Sequence, residues 1–453
     1  MMGSLIDEYL EIMGKYTDAP LVFQQAVAYH LISATLGQFF DIPFSKTPRP
    51  NLWFILSSIP GRTRRSSLIT QFSESPLFLA YVNFYMNIEN LSYDDAKNRY
   101  SLSQMTEGTP EGICDVIQEG VTQGIVTYNF SDTEFGNTIK NISGKGHYSQ
   151  GLGTLLSKLY YGERHKQSLS KRGGKESRNV PSGLYITMLS AMQEPKHYLD
   201  QNMSRQGLLR RMLIVYVKSK DMSMDNWKPP LGKTDKYSLK EDVKKFVEER
   251  LLPQMLKYHE LMDRLQKSTS DCEKKLPVMF KDTVEKAINE IAKKADSDII
   301  EDESDVNIYK QNKWEALTKM TAISAIANDS IIVPPKEKQG DTIMTVSDKD
   351  FQISKDILES MVIHTDEMMD DLATSTIRAT DDKNLDRIYK MVKRAGPNGI
   401  SKRDLGNNIK MKKRNRDEYI DTLVSDERIV VRQTNLGRPG PQGIKYVADC
   451  YAE

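Results

Sequence analysis

Residues 51–70, NLWFILSSIPGRTRRSSLIT, pass from an apolar run of strand length, through turn punctuation, into the start of a helical pattern. Asn51–Ser58 reads as the strand, Pro60-Gly61 as the turn and Ser66-Ser67-Leu68-Ile69 as the helix start, its hydroxyls placed to cap free N–H groups. That is the layout of a phosphate-binding loop. In such a loop glycines let backbone N–H groups curl around phosphates, a lysine reaches the β- and γ-phosphates and the following hydroxyl holds Mg²⁺. On this spacing Arg65 falls at the lysine and Ser66 at the Mg²⁺ hydroxyl, while Arg64 replaces one glycine and Ile59 the other. Gly61, Arg64, Arg65, Ser66 and Ser67 are the candidate phosphate-binding residues. Arginine keeps the charge but offers a planar fork instead of a compact ammonium. A basic turn after a buried strand is the competing reading.

A chain of 453 residues is too long for one core, and roughly 150 residues per domain predicts two to four modules. No apolar run approaches the ~20 residues a membrane span needs, so a soluble protein is expected. The N-terminus, MMGSLIDEYLEIMGKY, carries acids where a signal peptide would carry lysine and arginine. Cys114, Cys272 and Cys450 lie far apart with no CxxC pair, which suggests neither a zinc site nor a disulfide framework and fits a reducing, cytoplasmic location. The net charge of +1 hides an asymmetry: residues 383–453 hold sixteen Lys/Arg against nine Asp/Glu, a balance of +7, leaving −6 for residues 1–382.

Before the loop, residues 3–16 and 19–37 read as helices, the second opened by Asp18, with Pro20 in its first turn, and closed by Gly37. After the loop, residues 68–100 are mostly helical, and Thr109-Pro110-Glu111 begins a helix ended by Gly120. The next strand, residues 124–130, runs into Ser131-Asp132-Thr133-Glu134-Phe135-Gly136. Acids at the C-terminal end of a strand can hold Mg²⁺ and a hydrolytic water; a polar turn is the alternative. YSQGLGTLLSKLYYGE follows as a helix, and residues 165–179 as a basic loop that is either a solvated hairpin or a nucleic-acid contact. A third strand, residues 184–189, ends in Ser190-Ala-Met-Gln193, and a fourth, residues 213–217, follows Gly207-Leu-Leu-Arg-Arg-Met212. Strands alternating with helical patterns predict a parallel, helix-covered sheet with its chemistry at the strands' C-terminal ends. Residues 238–294 read as a charged, solvated helical arm, and 314–327 and 347–371 as further helices.

Asp381-Asp382-Lys383 reads as a linker. Beyond it three helices and a hairpin, RIVVRQ, GRPGPQ and GIKYVA, follow the winged-helix plan. Lys402, Arg403, Lys410, Lys412, Lys413, Arg414 and Arg416 crowd its second and third helices, and Arg438 sits in the wing tip, where cations neutralise duplex phosphates. A winged helix used for protein contact is the alternative.

Taken in order, APLVFQQAVAYHLISATLG, IPGRTRRSS, TPEGICDVIQEG, DTEFG, GLGTLLSKLYYGE, the strand ending in SAMQ, and GLLRRM resemble a family of helicase-like P-loop ATPases of phages, plasmids and archaeal mobile elements, often found beside primase modules. The similarity covers about residues 10–220, with a looser helical match to about 370. The resemblance implies an α/β fold: a RecA/AAA+-like core over 46–235, an N-terminal helical region over 1–45, a helical lid over 236–380 and a winged helix over 383–453. It further implies ATP with Mg²⁺ at Arg65, Ser66 and Asp132, with Asp132 or Glu134 as the acid, Gln193 as the phosphate sensor and Arg211 as a finger reaching a neighbouring subunit's nucleotide. A pairing of Arg210 and Arg211 with acids at a helix end is the alternative for that finger. Thr133 departs from the family's acidic pair. The expected function is that of a ring-forming, nucleoid-associated ATPase acting on DNA as a helicase or in replication initiation; the alternative is a non-hydrolysing DNA-binding assembly factor.

Overall fold

The computed structural model describes residues 3–42, 49–59, 63–106, 109–143, 147–167, 178–195, 208, 211–218, 228, 232–269, 271, 274–301, 313–332, 343–408, 413–425, 428–434 and 443–451. The chain divides into two compact units, Met1–Met369 and Asp370–Glu453.

In the first unit, α1 (Leu5–Tyr16) begins where Ser4 Oγ accepts from the Asp7 amide, with Asp7 and Glu8 in its first turn and Lys15 in its last. It buries Leu5, Ile6, Tyr9 and Met13, one stripe of a 3.6-residue period. By contrast α2 (Leu21–Leu36) is buried almost all round, as a helix enclosed by its neighbours must be. Its first turn differs from expectation, because Pro20 is the N-cap and Asp18 is engaged elsewhere. At its end, a Cβ on Gly37 would strike the hydroxyl of Tyr185, so this glycine sets how closely α2 approaches the sheet.

That sheet contains β2 (Trp53–Ser58), β3 (Gln104–Met105), β4 (Thr127–Asp132), β7 (Tyr185–Met192) and β8 (Leu213–Val217) in the order β3-β4-β7-β2-β8, every pair parallel. β2, β4 and β7 are buried along their whole length; β2 and β7 are mostly apolar, whereas β4, Thr127-Tyr-Asn-Phe-Ser-Asp132, alternates polar with apolar residues. The helix after the loop runs as α3 (Arg65–Ile69), a π-helical turn (Thr70–Glu74) and α4 (Ser75–Glu89), followed by α5 (Tyr93–Leu102). Between β3 and β7 lie α6 (Pro110–Thr122), capped by Thr109, then α7 (Phe135–Ser143) and α8 (His147–Tyr160). The basic loop forms a short antiparallel pair, β5 (His165–Gln167) with β6 (Arg178–Val180); its tip, 168–177, is outside the described residues.

Residues 238–294 are not a solvated arm. They contain α9 (Lys233–Phe246), a second π-helical turn (Val247–Leu251), α10 (Leu252–Thr269), strand β9 (Leu276–Phe280) and the start of α11 (Asp282–Glu301). β9 alternates buried Leu276, Val278 and Phe280 with exposed Met279. It is central in a second sheet, β1-β9-β11-β10, with β1 (Phe40–Asp41), β10 (Ile331–Ile332) and β11 (Ile343–Val346). With α12 (Lys313–Ala327), these elements share one core that runs from Leu5 to Val362 and includes Phe54, Leu56, Leu189 and Val215 of the first sheet. The segments 1–45, 46–235 and the part of 236–380 up to Met369 are therefore one body.

The expected linker at 381–383 lies inside α13 (Asp348–Arg394), since that stretch contains neither glycine nor proline and a run of acids does not stop a helix. In the second unit, Ile388 and Val392 of α13 pack with Leu405 of α14 (Lys402–Asn408), Ile420 and Leu423 of α15 (Lys413–Ser425), and Ile429, Tyr446 and Ala448 of an antiparallel sheet. The sheet order is β12-β14-β13, from Ile400–Ser401, Gly443–Ala448 and Ile429–Thr434. Gly399 enters it at φ 64, where a Cβ would meet the Tyr446 carbonyl at 2.8 Å.

Candidate functional site

The loop strand β2 delivers its C-terminal end to a turn that returns as α3. Thr63 is buried, and its hydroxyl bonds the hydroxyl of Ser58 across the turn. Arg64 then adopts φ 54, ψ 21, the left-handed region that costs an L-residue about 1–2 kcal/mol. This is the position where the phosphate-loop pattern has glycine: the backbone keeps the glycine conformation although the residue is arginine. Its guanidinium turns back to Asp18 (Nε to Oδ1, 3.0 Å) and to the Lys228 carbonyl (2.9 Å), which offsets that strain. The same Asp18 accepts from the Lys228 amide at 3.2 Å, so one partly buried carboxylate ties three chain segments together. Helical hydrogen bonding begins with the Leu68 amide donating to the Arg64 carbonyl, leaving the first amides of α3 at the sheet edge without intrahelical partners. Arg65 is half-buried there and Ser66 is exposed. Gly61 lies outside the described residues.

At the matching end of β4, Asp132 is buried and its carboxylate organises the following turn. Oδ1 accepts from the Glu134 amide at 2.8 Å and Oδ2 from the Thr138 hydroxyl at 2.9 Å. Glu134 is exposed. Strand β7 lies between β2 and β4, which sets the loop and the acids roughly 9–10 Å apart, two strand spacings. The end of β7 fills that interval: the Gln193 carbonyl accepts from Ser57 Oγ at 2.7 Å, and the side chain of Gln193 is exposed. The loop, Gln193 and Asp132–Glu134 thus share the C-terminal edge of one parallel sheet, with cationic and N–H donors on one side and carboxylates on the other. Among the described residues, no group of three or more His, Cys, Asp or Glu side chains is placed to hold a metal ion.

Arg211 is placed elsewhere. It precedes β8 at the N-terminal edge of the sheet, where its guanidinium lies over the Tyr161 ring at 4.6 Å. In the second unit Lys402 and Arg403 are exposed, Lys402 facing Asp417 at 3.1 Å. Arg416 is turned inward, one-eighth exposed and pressed against Gly406, so it joins α14 to α15. The side chains of Lys413 and Arg414, and Lys410, Lys412 and Arg438 altogether, are outside what is described.

Sequence reading missed the polar layer beneath the site. His30 of α2 is fully buried, bonded through Nδ1 to Ser73 Oγ (3.1 Å) and through Nε2 to Asn129 Oδ1 (2.9 Å). Burial pushes its imidazole down to about 3, so the ring is neutral. Ser73 belongs to the π-helical turn that continues the loop helix, and Asn129 to the acidic strand. The next residue of that turn, Glu74, accepts from Ser131 Oγ at 2.6 Å. Two polar residues facing one buried histidine from distant segments leave no periodic mark in a sequence.

No protein-family model matches the chain, and neither does any curated protein. No helix among the described residues is long and apolar enough to cross a membrane.

Proposed function

We propose that the chain is a P-loop ATPase-like protein acting on DNA, with a RecA/AAA+-like core and a C-terminal winged helix, assembling as a homo-oligomeric ring in the replication of a mobile element or its host. The observation that carries the reading is the insertion of β7 between the loop strand and the acidic strand of an all-parallel sheet. It sets the loop and the carboxylates roughly 9–10 Å apart on one sheet edge, with the exposed Gln193 side chain at the end of the strand between them. ATP would lie with its phosphates on the first amides of α3, Arg65 supplying charge and Gln193 facing the terminal phosphate. Mg²⁺ would be held by the Ser66 hydroxyl and Asp132 and would neutralise charge on the phosphates. Glu134 is the group suited to orient water. Arg211, at the opposite sheet edge, is suited to act on a neighbour's nucleotide once it leaves Tyr161.

A second reading, a non-hydrolysing assembly factor, draws on Arg64. An arginine at the glycine position, tied to Asp18, fills space that a glycine would leave open to phosphate.

Replacing Arg65 by alanine is expected to weaken ATP binding by about 1.5–3 kcal/mol, the worth of a charge-assisted hydrogen bond. Calorimetric titration of the full chain checks this, and unchanged affinity removes Arg65 from the site. If the parent protein does not bind ATP at all, the assembly reading stands.

For the second unit, duplex binding is expected to weaken with salt by a log–log slope of about −0.9 for each phosphate contacted. Lys402→Ala with Arg403→Ala should make that slope shallower by about one to two contacts. Arg416→Ala should instead lower the stability of the unit. A flat salt response would point to a protein partner.

A further inference from the structure

Among the described residues, the non-glycine positions with positive φ are Arg64, Asn90 and Asp329. Asparagine and aspartate visit the left-handed region readily, because their short side chains bond locally; arginine does not. Arg64 is also the N-cap of α3, a position that ordinarily takes extended backbone, and its side chain makes no capping bond. A conformation of this kind persists only where surrounding structure holds it.

Asp18 is placed to hold it. The backbone on either side of Asp18 is fixed: the Thr17 amide closes α1 on the Met13 carbonyl, the Ala19 amide donates to Thr17 Oγ1 at 3.1 Å, and Gln24 Nε2 donates to the Ala19 carbonyl at 2.7 Å. The Asp18 side chain is 12% exposed; it takes Arg64 Nε on Oδ1 and the Lys228 amide on Oδ2, while a terminal nitrogen of the guanidinium donates to the Lys228 carbonyl. The Lys228 ammonium reaches instead to the Gly14 carbonyl.

Asp18 and the Lys228 peptide group thus form a bracket that receives two nitrogens of one planar guanidinium. Hydrogen bonds to a carboxylate are stronger than neutral ones, and a guanidinium fixed at two nitrogens restricts the backbone that carries it. The Arg64 carbonyl accepts the first helical bond of α3, from the Leu68 amide, so the dihedral angles held in this way set the direction in which the loop enters the helix. A carboxylate 46 residues away does here what glycine does by lacking a Cβ.

We infer that Asp18 is a positioning residue: it holds Arg64 in the left-handed conformation and thereby holds the loop in the shape that receives phosphate. That role rests on the proposed nucleotide reading of the loop; the hold on Arg64 does not. Asp18 acts through the Arg64 side chain alone, so Arg64→Gly, which reaches the same conformation unaided, makes it dispensable.

The full chain and its Asp18→Ala, Arg64→Gly and double variants test this, by calorimetric titration with ATP against Arg65→Ala as reference, and by denaturant unfolding without nucleotide. Asp18→Ala is expected to weaken ATP binding about tenfold, because the competent loop is then only fractionally populated. Adding Arg64→Gly to Asp18→Ala should regain most of the lost affinity, a rescue that loss of packing at Asp18 would not show. In unfolding, Arg64→Gly should raise the folding equilibrium constant of the Asp18→Ala chain about fivefold and not that of the parent, since strain is relieved in both but only the parent has the bracket to lose. If Asp18→Ala does not fold, Asp18→Asn keeps an acceptor oxygen and loses the charge, and weakened binding rescued by Arg64→Gly is again expected. Affinity unchanged in Asp18→Ala but weakened in Arg65→Ala overturns the positioning role and leaves the nucleotide reading standing. A double variant that binds no more tightly than Asp18→Ala overturns it as well. A parent chain that binds no ATP removes the nucleotide reading and the positioning role with it, while equal effects of Arg64→Gly on unfolding in both backgrounds show that Asp18 does not hold Arg64.

Discussion

Glu134→Gln is expected to lower ATP turnover by about 10²-fold or more while leaving nucleotide affinity nearly unchanged. A group that orients water or stabilises charge only as the bond breaks contributes to the transition state and little to the ground state. The exposed Glu134 lies two residues after the buried Asp132, whose carboxylate fixes the backbone beneath it through the Glu134 amide. Exchanging carboxylate for amide at residue 134 leaves that turn intact, so a loss of rate would be chemical and not a loss of fold. Asp132→Asn is the control. Its Oδ1 can still accept from the Glu134 amide, and the Thr138 hydroxyl can reverse to accept from the new amide group, so the turn should persist. Steady-state turnover and equilibrium titration of the two variants separate the roles. If Asp132→Asn alone abolishes turnover, Asp132 is the hydrolytic acid; if neither changes a measurable rate, the acids are structural.

The second large effect is on stability. Between pH 6.5 and about pH 3 the first unit should lose on the order of 4 kcal/mol from His30 alone. The sign follows from the direction of the shift. The folded imidazole protonates only near 3, whereas the unfolded one does so near 6.5, so in that window the unfolded chain binds more protons and acid favours it. The stabilisation is fully present above 6.5 and is lost as pH falls toward 3. His30→Gln, which can still bond Ser73 or Asn129 but does not titrate, should be less stable than the parent at pH 7 and should lose less on acidification. Denaturant unfolding followed by the fluorescence of Trp53, packed edge-on against Tyr160, reads this unit. Equal acid sensitivity of parent and variant would mean that His30 is not what acid unfolds.

Much of the core is legible in the sequence because parallel strands buried on both faces appear as short apolar runs, and β2 and β8 fall where such runs stand at 51–58 and 213–217. β4 and β7 run past the strand ends expected at residues 130 and 189 to Asp132 and Met192, because backbone pairing with their neighbours continues beyond the apolar run. β9 was not legible. Five residues between charged helices leave too short a pattern, and only its parallel pairing with β1 and β11 makes it a strand. The acids and the loop cations were visible as residues. That Arg64 takes the glycine conformation, that Asp18 restrains it, and that Arg416 packs inward were not, because each depends on a partner far away in the chain or on backbone dihedral angles.

By itself the sequence determined the alternation of strands and helices, the helix start at Thr109, and the basic surplus of the last seventy or so residues, because propensity, capping and charge are local or additive quantities. The tertiary structure alone decided the strand order that sets Gln193 between the loop and the acids. It also merged the N-terminal helices, the sheet and the helices up to Met369 into one core, and brought Asp18, Arg64 and Lys228 together. These depend on which distant segments pack together, and apolar burial, being non-directional, writes no register for that choice into any single stretch of chain.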